Sequence, residues 1–174
     1  IIYVSKAGRQ SFLDSFDIPM KKTAVVYNGI SEELIEDGRE NSPRFENKLN
    51  VLYIGRLIKI KGVDLLITAV AQLKNEFPIE LTIVGDGEER PRLEEKTKAL
   101  SLTECVHFEG SQRNTAHYYR NANVFVYPSI CREVFGISIV EAMAYGLPTI
   151  ANKVGGVPEI IESGVNGYWT NEMS

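Results

Sequence analysis

From residue 49 onward, short apolar runs alternate with segments of helical periodicity, and this alternation constrains the fold more than any other feature. The apolar runs cover residues 49–54, 79–84, 106–108, 124–127 and 149–151, and residues 168–169 add a sixth. The segments between them have the period of helices over residues 63–77, 88–100, 113–122, 135–145 and 157–162. Strands that alternate with helices at this spacing form βαβ units. The sequence therefore predicts an α/β fold with a doubly wound parallel sheet and helices on both of its faces.

A shorter α/β segment comes first. Residues 1–4 and 23–27 are β-type runs. Ser5 is a suitable N-cap for a helix that reaches about residue 16. We therefore expect two strands joined by one helix at the beginning of the chain.

A polar stretch separates this segment from the regular part. Residues 31–48 are charged, contain Pro43 and have no clean period, so we expect a connector and an inter-domain boundary there. The chain begins with Ile1 and not with Met, and its first residues already have strand character. We therefore expect a piece of a longer protein, in which residues 1–30 are the edge of one domain and residues 49–174 are most of another.

Composition excludes several classes of protein. The chain has 174 residues, with 19 Lys and Arg against 23 Asp and Glu, and this net charge of −4 argues against a nucleic-acid binder. An apolar content of 44% is enough for a packed core. The two cysteines, Cys105 and Cys131, are too few for a disulfide-rich scaffold or a cysteine zinc site. No apolar run approaches the roughly 18 residues of a membrane-spanning helix.

The loops that follow the predicted strands are rich in glycines and charged residues. They contain Gly55, Arg56, Lys61 and Gly62, then Gly85, Asp86 and Gly87, then Gly110 and Ser111, then Pro128, Ser129 and residues 132–136, and finally residues 152–156. Ligands of doubly wound sheets bind outside the carboxyl ends of the strands, where all these loops meet. Glycine is common in turns for purely structural reasons, but five such loops in succession favour a ligand cleft.

Arg56 and Lys61 flank the loop between the first regular strand and its helix. Two cations beside a helix N-terminus suit a phosphate or diphosphate, because the free N–H groups and the helix dipole add to their charge. Solvated surface charge is an equally good interpretation of these two residues alone. Lys59 lies between them and is the alternative cation.

Glu141 is the only charged side chain between Phe135 and Leu147, in a helix that is otherwise apolar nearly all round. Such a helix is expected to be buried, and a buried carboxylate needs dedicated partners. Glu141 can accept hydrogen bonds from two vicinal hydroxyls, such as those of a ribose, or it can hold loop N–H groups in a structural role. Gly136 would let backbone N–H groups approach an anion at the start of this helix.

Other features are better explained without a catalytic role. Gly85 and Gly87 match two glycines of a dinucleotide fingerprint, but Arg90 stands where the third is required, so an NAD site is not expected. His107 lies in a strand and His117 in an amphipathic helix, and we expect both to be structural. No Asp-x-Asp pair follows any strand, so the sequence gives no indication of a divalent metal site.

Four motifs in order resemble a known family. They are the Gly-Arg and Lys-Gly pairs at 55–56 and 61–62, the run 83–87, the two glutamates Glu133 and Glu141 separated by seven residues, and the run 155–159 after Gly146-Leu147-Pro148. This order and spacing resembles the retaining nucleotide-sugar glycosyltransferases of the GT-B fold, family 4. The resemblance covers essentially the whole chain, since residues 3–5 and 27–29 match the domain junction of that family. It implies the C-terminal, Rossmann-like half of a GT-B fold.

The resemblance implies roles for the matched positions. Arg56, Lys61 and Glu133 would be the catalytic residues: the two cations would bind the donor diphosphate and stabilise its developing charge, and Glu133 would contact hydroxyls of the donor sugar. Glu141 would hold the ribose hydroxyls. The other residues implied in donor binding are Gly55, Gly85, Gly87, Gly110, Ser111, Gln112, Phe135, Gly136 and Ile137.

Two parts of the implied site involve the backbone or the base. Gly136 and Ile137 would direct N–H groups at the phosphates, and residues 110–112 would lie against the nucleobase. The donor would be a UDP- or GDP-linked sugar, with no metal and no other cofactor, because protein cations stabilise the leaving group in this family.

The chain departs from the family at the scale of domains. The acceptor-binding domain with the usual catalytic histidine is not present, and the chain stops at Ser174, before the helical tail of the family. We therefore expect this chain to bind a donor and to transfer little or no sugar alone. The full-length protein would transfer a hexose or related sugar to a glycan or lipid-linked acceptor in cell-envelope polysaccharide biosynthesis. It would be cytoplasmic or peripheral at the inner face of the membrane, with any membrane contact made by absent parts.

Two other functions remain open at this point. The cleft could belong to a regulatory module that binds a nucleotide or sugar phosphate without transferring it. It could also belong to a GT-B relative such as an epimerase or phosphorylase, although the spacing of Glu133 and Glu141 together with Arg56 and Lys61 favours a transferase. Nothing in the sequence identifies the sugar, the base or the acceptor.

Overall fold

The computed structural model describes residues 1–39, 41 and 47–170. Within them the strands are β1 Ile2–Tyr3, β2 Ala24–Val25, β3 Leu49–Ile54, β4 Ile79–Val84, β5 Val106–Gly110, β6 Val124–Tyr127, β7 Thr149–Asn152 and β8 Gly167–Thr170. The α-helices are α1 Lys6–Leu13, α2 Glu32–Arg39, α3 Val63–Leu73, α4 Arg90–Ala99, α5 Ala116–Asn121 and α6 Ile137–Ala144. None of these helices combines the length and the apolar character that crossing a bilayer requires.

Six strands form one parallel sheet in the order β5-β4-β3-β6-β7-β8. The chain builds outward from β3 to β5 and then returns to place β6 on the other side of β3. The strand order thus reverses between β3 and β6, and in open α/β sheets ligands bind at such a switch point, outside the carboxyl ends of the strands. The predicted doubly wound α/β fold is confirmed, and all the loops that follow these strands lie at one edge of the sheet.

The sheet is covered on both faces, as its strand sequences predict. Alternate residues of β3 point to opposite sides: Val51 and Tyr53 pack in a core with α3 and α4, and Leu52 packs in a second core with α5 and α6. The predicted period of α3 is confirmed by Val63, Leu66, Ile67 and Val70, all of which are buried, but the helix ends at Leu73 and not at residue 77, and Phe77 is exposed. The two cores leave the carboxyl edge of the sheet as the place where polar side chains gather.

The first thirty residues form a small unit against this edge. β1 and β2 pair in parallel, and Ser5 caps α1 by accepting a hydrogen bond from the N–H of Gly8 at 2.9 Å, as the sequence predicted. The carboxylate of Glu159 accepts hydrogen bonds from the N–H groups of Lys6 and Ala7, both at 2.8 Å, and from the Tyr27 hydroxyl at 2.9 Å. One glutamate of the main domain therefore holds both the start of α1 and the segment after β2.

The pKa of Glu159 reflects this position. Partial burial by itself raises the pKa of the carboxyl, but the N–H groups of Ala7 and Lys6 and the Tyr27 hydroxyl outweigh it and hold the pKa below its ordinary value. A carboxylate at the first turn of a helix is also favoured by the helix dipole. The contact therefore depends on Glu159 being ionised.

The sequence predicted residues 31–48 as a connector without a clean period that contains the inter-domain boundary, and it did not predict a helix there. Residues 32–39 form α2 instead, which packs on α6 so closely that a Cβ at Gly38 would lie 2.2 Å from the carbonyl oxygen of Ala144. The helix has no clean apolar period because its contacts use a glycine and the carboxylate of Asp37, which pairs with Arg120 and accepts a hydrogen bond from Tyr145. Residues 40 and 42–46 of the predicted connector, and residues 171–174 of the predicted donor domain, lie outside the described residues.

Smaller differences occur at element ends. α1 ends at Leu13, before the predicted residue 16, and β5 extends past residue 108 to Gly110. α6 begins at Ile137 and not at residue 135, because Gly136 adopts a φ of +103° that is outside the helical range.

Candidate functional site

The loops that follow β3 and β4 lie directly against each other. Gly85 has a φ of +135°, and a Cβ there would lie 1.9 Å from the carbonyl oxygen of Gly55. The N–H of Leu57 donates to the carbonyl of Asp86 at 2.9 Å and ties the loops together. Only a glycine permits this approach. The structure thus gives Gly85 a packing role at the edge of the site, and the donor contact implied for it stays a prediction.

The loop between β3 and α3 also reaches across the switch point to the end of β6. Gly62, with a φ of +65°, comes so near that a Cβ would lie 2.2 Å from the carbonyl oxygen of Pro128. The N–H of Ile130 donates to the carbonyl of Ile60 at 3.0 Å. This close approach places Lys61, the residue before Gly62, beside the loop that follows β6.

Lys61 and Glu133, two of the predicted catalytic residues, are in direct contact. The Lys61 ammonium donates to Glu133 Oε2 and also lies 3.2 Å from the Tyr127 hydroxyl. Tyr127 donates to the same carboxylate oxygen at 2.5 Å, and Ser129 donates to it at 3.3 Å. The side chains of Lys61 and Glu133 are only 12% and 17% exposed. Three donors thus converge on one oxygen at the switch point: Lys61 from the loop after β3, Tyr127 from the end of β6 and Ser129 from the loop after it.

The charges in this cluster support one another. Burial alone raises the pKa of the Glu133 carboxyl, but the hydrogen bonds from Lys61 and Tyr127 outweigh burial and hold the pKa below its ordinary value. Burial raises the pKa of Tyr127, and its bond to Glu133 raises it further, so the Tyr127 hydroxyl keeps its proton. At neutral pH Glu133 is therefore a carboxylate and Tyr127 a neutral phenol.

The backbone of the loop that carries Glu133 packs directly on two glycines. The N–H of Gly156 donates to the carbonyl of Glu133 at 2.7 Å, and a Cβ at Gly155 would lie 2.0 Å from the same oxygen. A cavity of about 620 Å³ lies between this loop and α1, and Glu133 is among its lining residues. The Gly-Gly pair of the motif at 155–159 thus fixes the position of the Glu133 backbone at the edge of the sheet.

Arg56 lies at the start of the loop that follows β3, and it is exposed. Its backbone is held by the buried Tyr53, whose hydroxyl donates to the Arg56 carbonyl oxygen at 3.0 Å. A Cβ at Gly55 would lie 2.7 Å from that hydroxyl, which explains the glycine before the arginine. Arg56 and Lys61 therefore lie on one loop whose backbone is fixed at both ends. Arg56 is exposed, whereas the Lys61 ammonium is already paired with Glu133.

Glu141 has a dedicated partner, as the sequence predicted. The hydroxyl of Tyr119 donates to Glu141 Oε2 at 2.7 Å. The helix around it is less buried than expected: Ile139 and Ala142 are buried, but Ile137 is 49% exposed. The reason is that α6 begins at the open edge of the sheet, so its first residue faces away from the core.

Glu141 and Glu133 line different cavities. Glu141 lines a polar cavity of about 480 Å³ between α2, the start of α5 and α6, whose other walls include Arg113 and Asn114. Glu133 lines the cavity beside α1.

Gly87 lies in the loop after β4, where a Cβ would lie 2.3 Å from the carbonyl oxygen of Leu57, and the remaining predicted residues lie around α6 and at the end of β5. Gly136 is the N-cap of α6, and because it has no side chain the first N–H groups of the helix have no side-chain cap. Phe135 is buried, with its ring 6.1 Å from that of Tyr27. Gly110 ends β5 with a φ of +68°, and the exposed Ser111 and Gln112 follow. These positions are compatible with an anion at the start of α6 and leave the implied contacts as predictions.

Four contributing residues were missed by sequence reasoning. Tyr127 and Ser129 hold Glu133, Tyr119 holds Glu141, and Glu159 caps α1. The position of Tyr127 and Ser129 at the end of β6 was a usable indication, and Glu159 stood in a recognised motif without a role. Nothing in the sequence distinguished Tyr119 from other aromatic residues of an amphipathic helix. Within the described ranges no three His, Cys, Asp or Glu side chains are grouped as a metal ion would require.

Comparison with known proteins gives a consistent result. The family model described as glycosyl transferases group 1 matches residues 35–174. An uncharacterized glycosyltransferase of Methanocaldococcus jannaschii is 35% identical over 97% of this chain and 46% of its own length. The lipopolysaccharide 1,2-N-acetylglucosaminetransferase of Salmonella typhimurium is 30% identical over 87% of this chain and 44% of its own length. The chain spans about half the length of these relatives.

One solved structure is similar to the chain in both fold and sequence. The crystal structure of HepE from Anabaena, in complex with UDP and glucose, has a TM-score of 0.83 and 30% identity. The match covers 98% of this chain and 49% of the HepE chain. The described residues therefore have the architecture of one half of that protein.

Proposed function

The chain belongs to the glycosyl transferases group 1 family, of GT-B fold, and from this premise we propose that it is the nucleotide-sugar donor-binding part of a retaining, metal-independent glycosyltransferase of family 4. The observation that carries the proposal is the cluster at the switch point. There Lys61 and Glu133 come from loops 72 residues apart and meet at the edge where a doubly wound sheet binds its ligand. Arg56 lies on the same loop as Lys61.

The chemistry of sugar transfer calls for such a group of cations. When the bond between the sugar C1 and the diphosphate oxygen breaks, negative charge develops on the leaving diphosphate. Cations that are already in place stabilise that charge without reorganising at the moment of reaction. Lys61 is fixed by Tyr127 and Glu133, and the N–H groups at the start of α6 add a positive dipole end. These protein groups take the part that a metal ion has in other transferases.

The carboxylates are assigned to hydroxyl groups of the donor. Glu133 Oε2 accepts hydrogen bonds from Lys61, Tyr127 and Ser129. The carboxylate also lines a cavity where sugar hydroxyls can reach it. Glu141 binds the ribose hydroxyls from the neighbouring cavity. A UDP- or GDP-linked hexose or related sugar is the proposed donor, and HepE, whose structure holds UDP and glucose, supports this choice.

The remaining functional assignments concern the full-length protein. We assign acceptor binding to a preceding domain, with a glycan or lipid-linked acceptor, and cell-envelope polysaccharide synthesis as the process. The similarity to a lipopolysaccharide transferase supports that process. The full-length protein is proposed to act in the cytoplasm or at the inner face of the membrane, and this chain alone is proposed to bind donor with little or no transfer.

The test is ligand-observed NMR on the 174-residue chain, which measures the binding of UDP, GDP and their glucose, galactose, N-acetylglucosamine and mannose derivatives. We expect at least one nucleotide sugar to bind at millimolar concentration or below, with the same affinity in EDTA. Absence of binding by every compound would refute the donor site. Binding that is lost in EDTA would refute the metal-independent mechanism and leave the donor site standing.

Two variants separate the predicted cation from its neighbour. Lys61→Met should weaken nucleotide binding about tenfold to a hundredfold, since each charged hydrogen bond contributes about 1.5–3 kcal/mol. Lys59→Met is the matched control, because Lys59 is exposed on the same short 3₁₀ turn. Equal weakening by both variants would mean that the surface charge attracts nucleotides without a specific site.

A further inference from the structure

Tyr119 is a fully buried tyrosine whose hydroxyl is committed to one acceptor. It lies on α5 with none of its surface exposed, and its hydroxyl donates to Glu141 Oε2 at 2.7 Å. Burial raises the pKa of Tyr119, and the neighbouring carboxylate raises it further, so the hydroxyl remains a donor throughout the neutral range. Glu141 therefore has one oxygen whose position is set by the core of the protein.

The ring of Tyr119 is itself held in place from two sides. It stacks on Tyr145 with ring centroids 5.2 Å apart and an interplanar angle of 14°, and it lies 6.1 Å from the ring of Phe125. The Tyr145 hydroxyl in turn donates to Asp37 of α2, which is paired with Arg120. A side chain packed in this way has one available rotamer, so its hydroxyl is a fixed point and not an adaptable one.

A carboxylate that binds two vicinal hydroxyls must hold its plane in a definite orientation. An unrestrained glutamate on a helix samples several rotamers, and choosing one on binding costs conformational entropy. The bond from Tyr119 removes that freedom before the ligand arrives and directs the rest of the carboxylate at the polar cavity of about 480 Å³ that it lines. This is how a supporting residue makes a binding group selective.

We infer that Tyr119 is the positioning residue that makes the Glu141 carboxylate selective for a ribose, so that it sets the preference of the site for ribonucleotides over deoxyribonucleotides. The role rests on the proposed function, because it requires a nucleotide in the cavity beside Glu141. It goes further in assigning sugar selectivity in the nucleotide to a core tyrosine that touches no ligand.

The experiment compares a ribonucleotide with its 2′,3′-dideoxy form on the 174-residue chain. The probes are UDP and 2′,3′-dideoxy-UDP, or the guanine pair if GDP binds more tightly in the panel. For the wild-type chain we expect the ribonucleotide to bind about tenfold or more tightly than the dideoxy form. In Tyr119→Phe this ratio should fall by about threefold to tenfold, while the affinity for the dideoxy compound stays within about twofold.

Tyr118→Phe is the matched control. Tyr118 is the neighbouring residue on α5, and its hydroxyl donates to Glu109 at 3.2 Å and not to Glu141. Its removal should leave the ratio unchanged. A merely structural role of Tyr119 would weaken both nucleotides equally and leave the ratio as it was, and that result would overturn the proposal.

The possible failures are distinguishable. If the wild-type chain binds neither form of either nucleotide, the proposed function falls and the role of Tyr119 falls with it. If both forms bind with a ratio near one, the donor site stands and the role of Tyr119 is refuted.

A second measurement covers the case in which Tyr119→Phe does not fold. The Tyr119 hydroxyl proton of the wild-type chain, identified by NOEs to its own ring protons, should change its NMR shift when the ribonucleotide binds, because the carboxylate then shares its charge with the ribose. The dideoxy form should leave the shift unchanged. Equal shifts, or none with the ribonucleotide, would contradict the proposal.

Discussion

Replacing Glu133 with glutamine should make the chain bind a nucleoside diphosphate more tightly, although Glu133 belongs to the proposed active site. In the structure the Glu133 carboxylate accepts a hydrogen bond from Lys61, the cation assigned to the diphosphate. An incoming diphosphate must share Lys61 with this carboxylate and is repelled by its charge. Glutamine keeps the size and an acceptor oxygen for Tyr127 but removes the charge. The expected gain is therefore electrostatic.

Burial of the pair determines the size of the effect. With side chains 12% and 17% exposed, Lys61 and Glu133 are screened less than a surface pair, for which about 0.2–1 kcal/mol is typical. A charged hydrogen bond contributes about 1.5–3 kcal/mol, and breaking a buried ion pair on one side destabilises by about 3–5 kcal/mol. Since glutamine retains one acceptor, we expect the free energy of unfolding to fall by about 2 kcal/mol. The affinity for UDP should rise about tenfold, which corresponds to about 1.4 kcal/mol.

The assay is titration calorimetry with UDP and with the nucleotide sugar that binds in the panel, or with the GDP pair if that base is preferred. Glu133→Gln should bind UDP more tightly but gain less from the attached sugar, because the sugar hydroxyls lose a charged acceptor. Glu76→Gln, an exposed position after α3, is the control and should change neither value. Weaker or unchanged UDP binding by a folded Glu133→Gln variant would refute the reasoning.

Three further predictions follow from described contacts. Glu159→Gln should lower the free energy of unfolding by about 1 kcal/mol at pH 7, because the helix cap is weakened. Since the pKa of Glu159 is depressed in the folded chain, urea unfolding should show the full difference above about pH 4.3 and a smaller one as the pH falls toward the folded pKa. A difference that grows in acid would contradict the capping role. Gly62→Ala should lower the free energy of unfolding by about 2 kcal/mol or more, since it combines a positive φ with a Cβ 2.2 Å from the Pro128 carbonyl oxygen. Gly29→Ala, with open space around it, should lower it by less than about 0.5 kcal/mol in the same urea titration. Equal losses would argue against the close approach of the two loops. Arg56→Gln should weaken UDP binding about tenfold in calorimetry and change stability by less than about 0.5 kcal/mol, because the side chain is exposed; unaltered binding would remove Arg56 from the phosphate site.

Local sequence determined the elements of this protein and the edge of the sheet that carries its polar residues. The bounds of β3, β4 and β6 follow from apolar runs, and Ser5 is the N-cap of α1 as predicted. These features depend on residues within a few positions of one another, where side-chain period and capping are decisive. Because all six strands of the main sheet are parallel, the sequence also placed Arg56, Lys61 and Glu133 at a common edge.

The tertiary structure alone decided which of those residues touch and what supports them. Lys61 meets Glu133 because β6 lies beside β3 and Gly62 lets the two loops approach, and a one-dimensional pattern holds no information about either. Tyr119 reaches Glu141 across 22 residues, and Glu159 caps α1 across 152 and 153 residues. Such contacts depend on the order of strands and on close packing between distant segments. The sequence therefore identified the charged groups of the site, and the fold determined how they are paired.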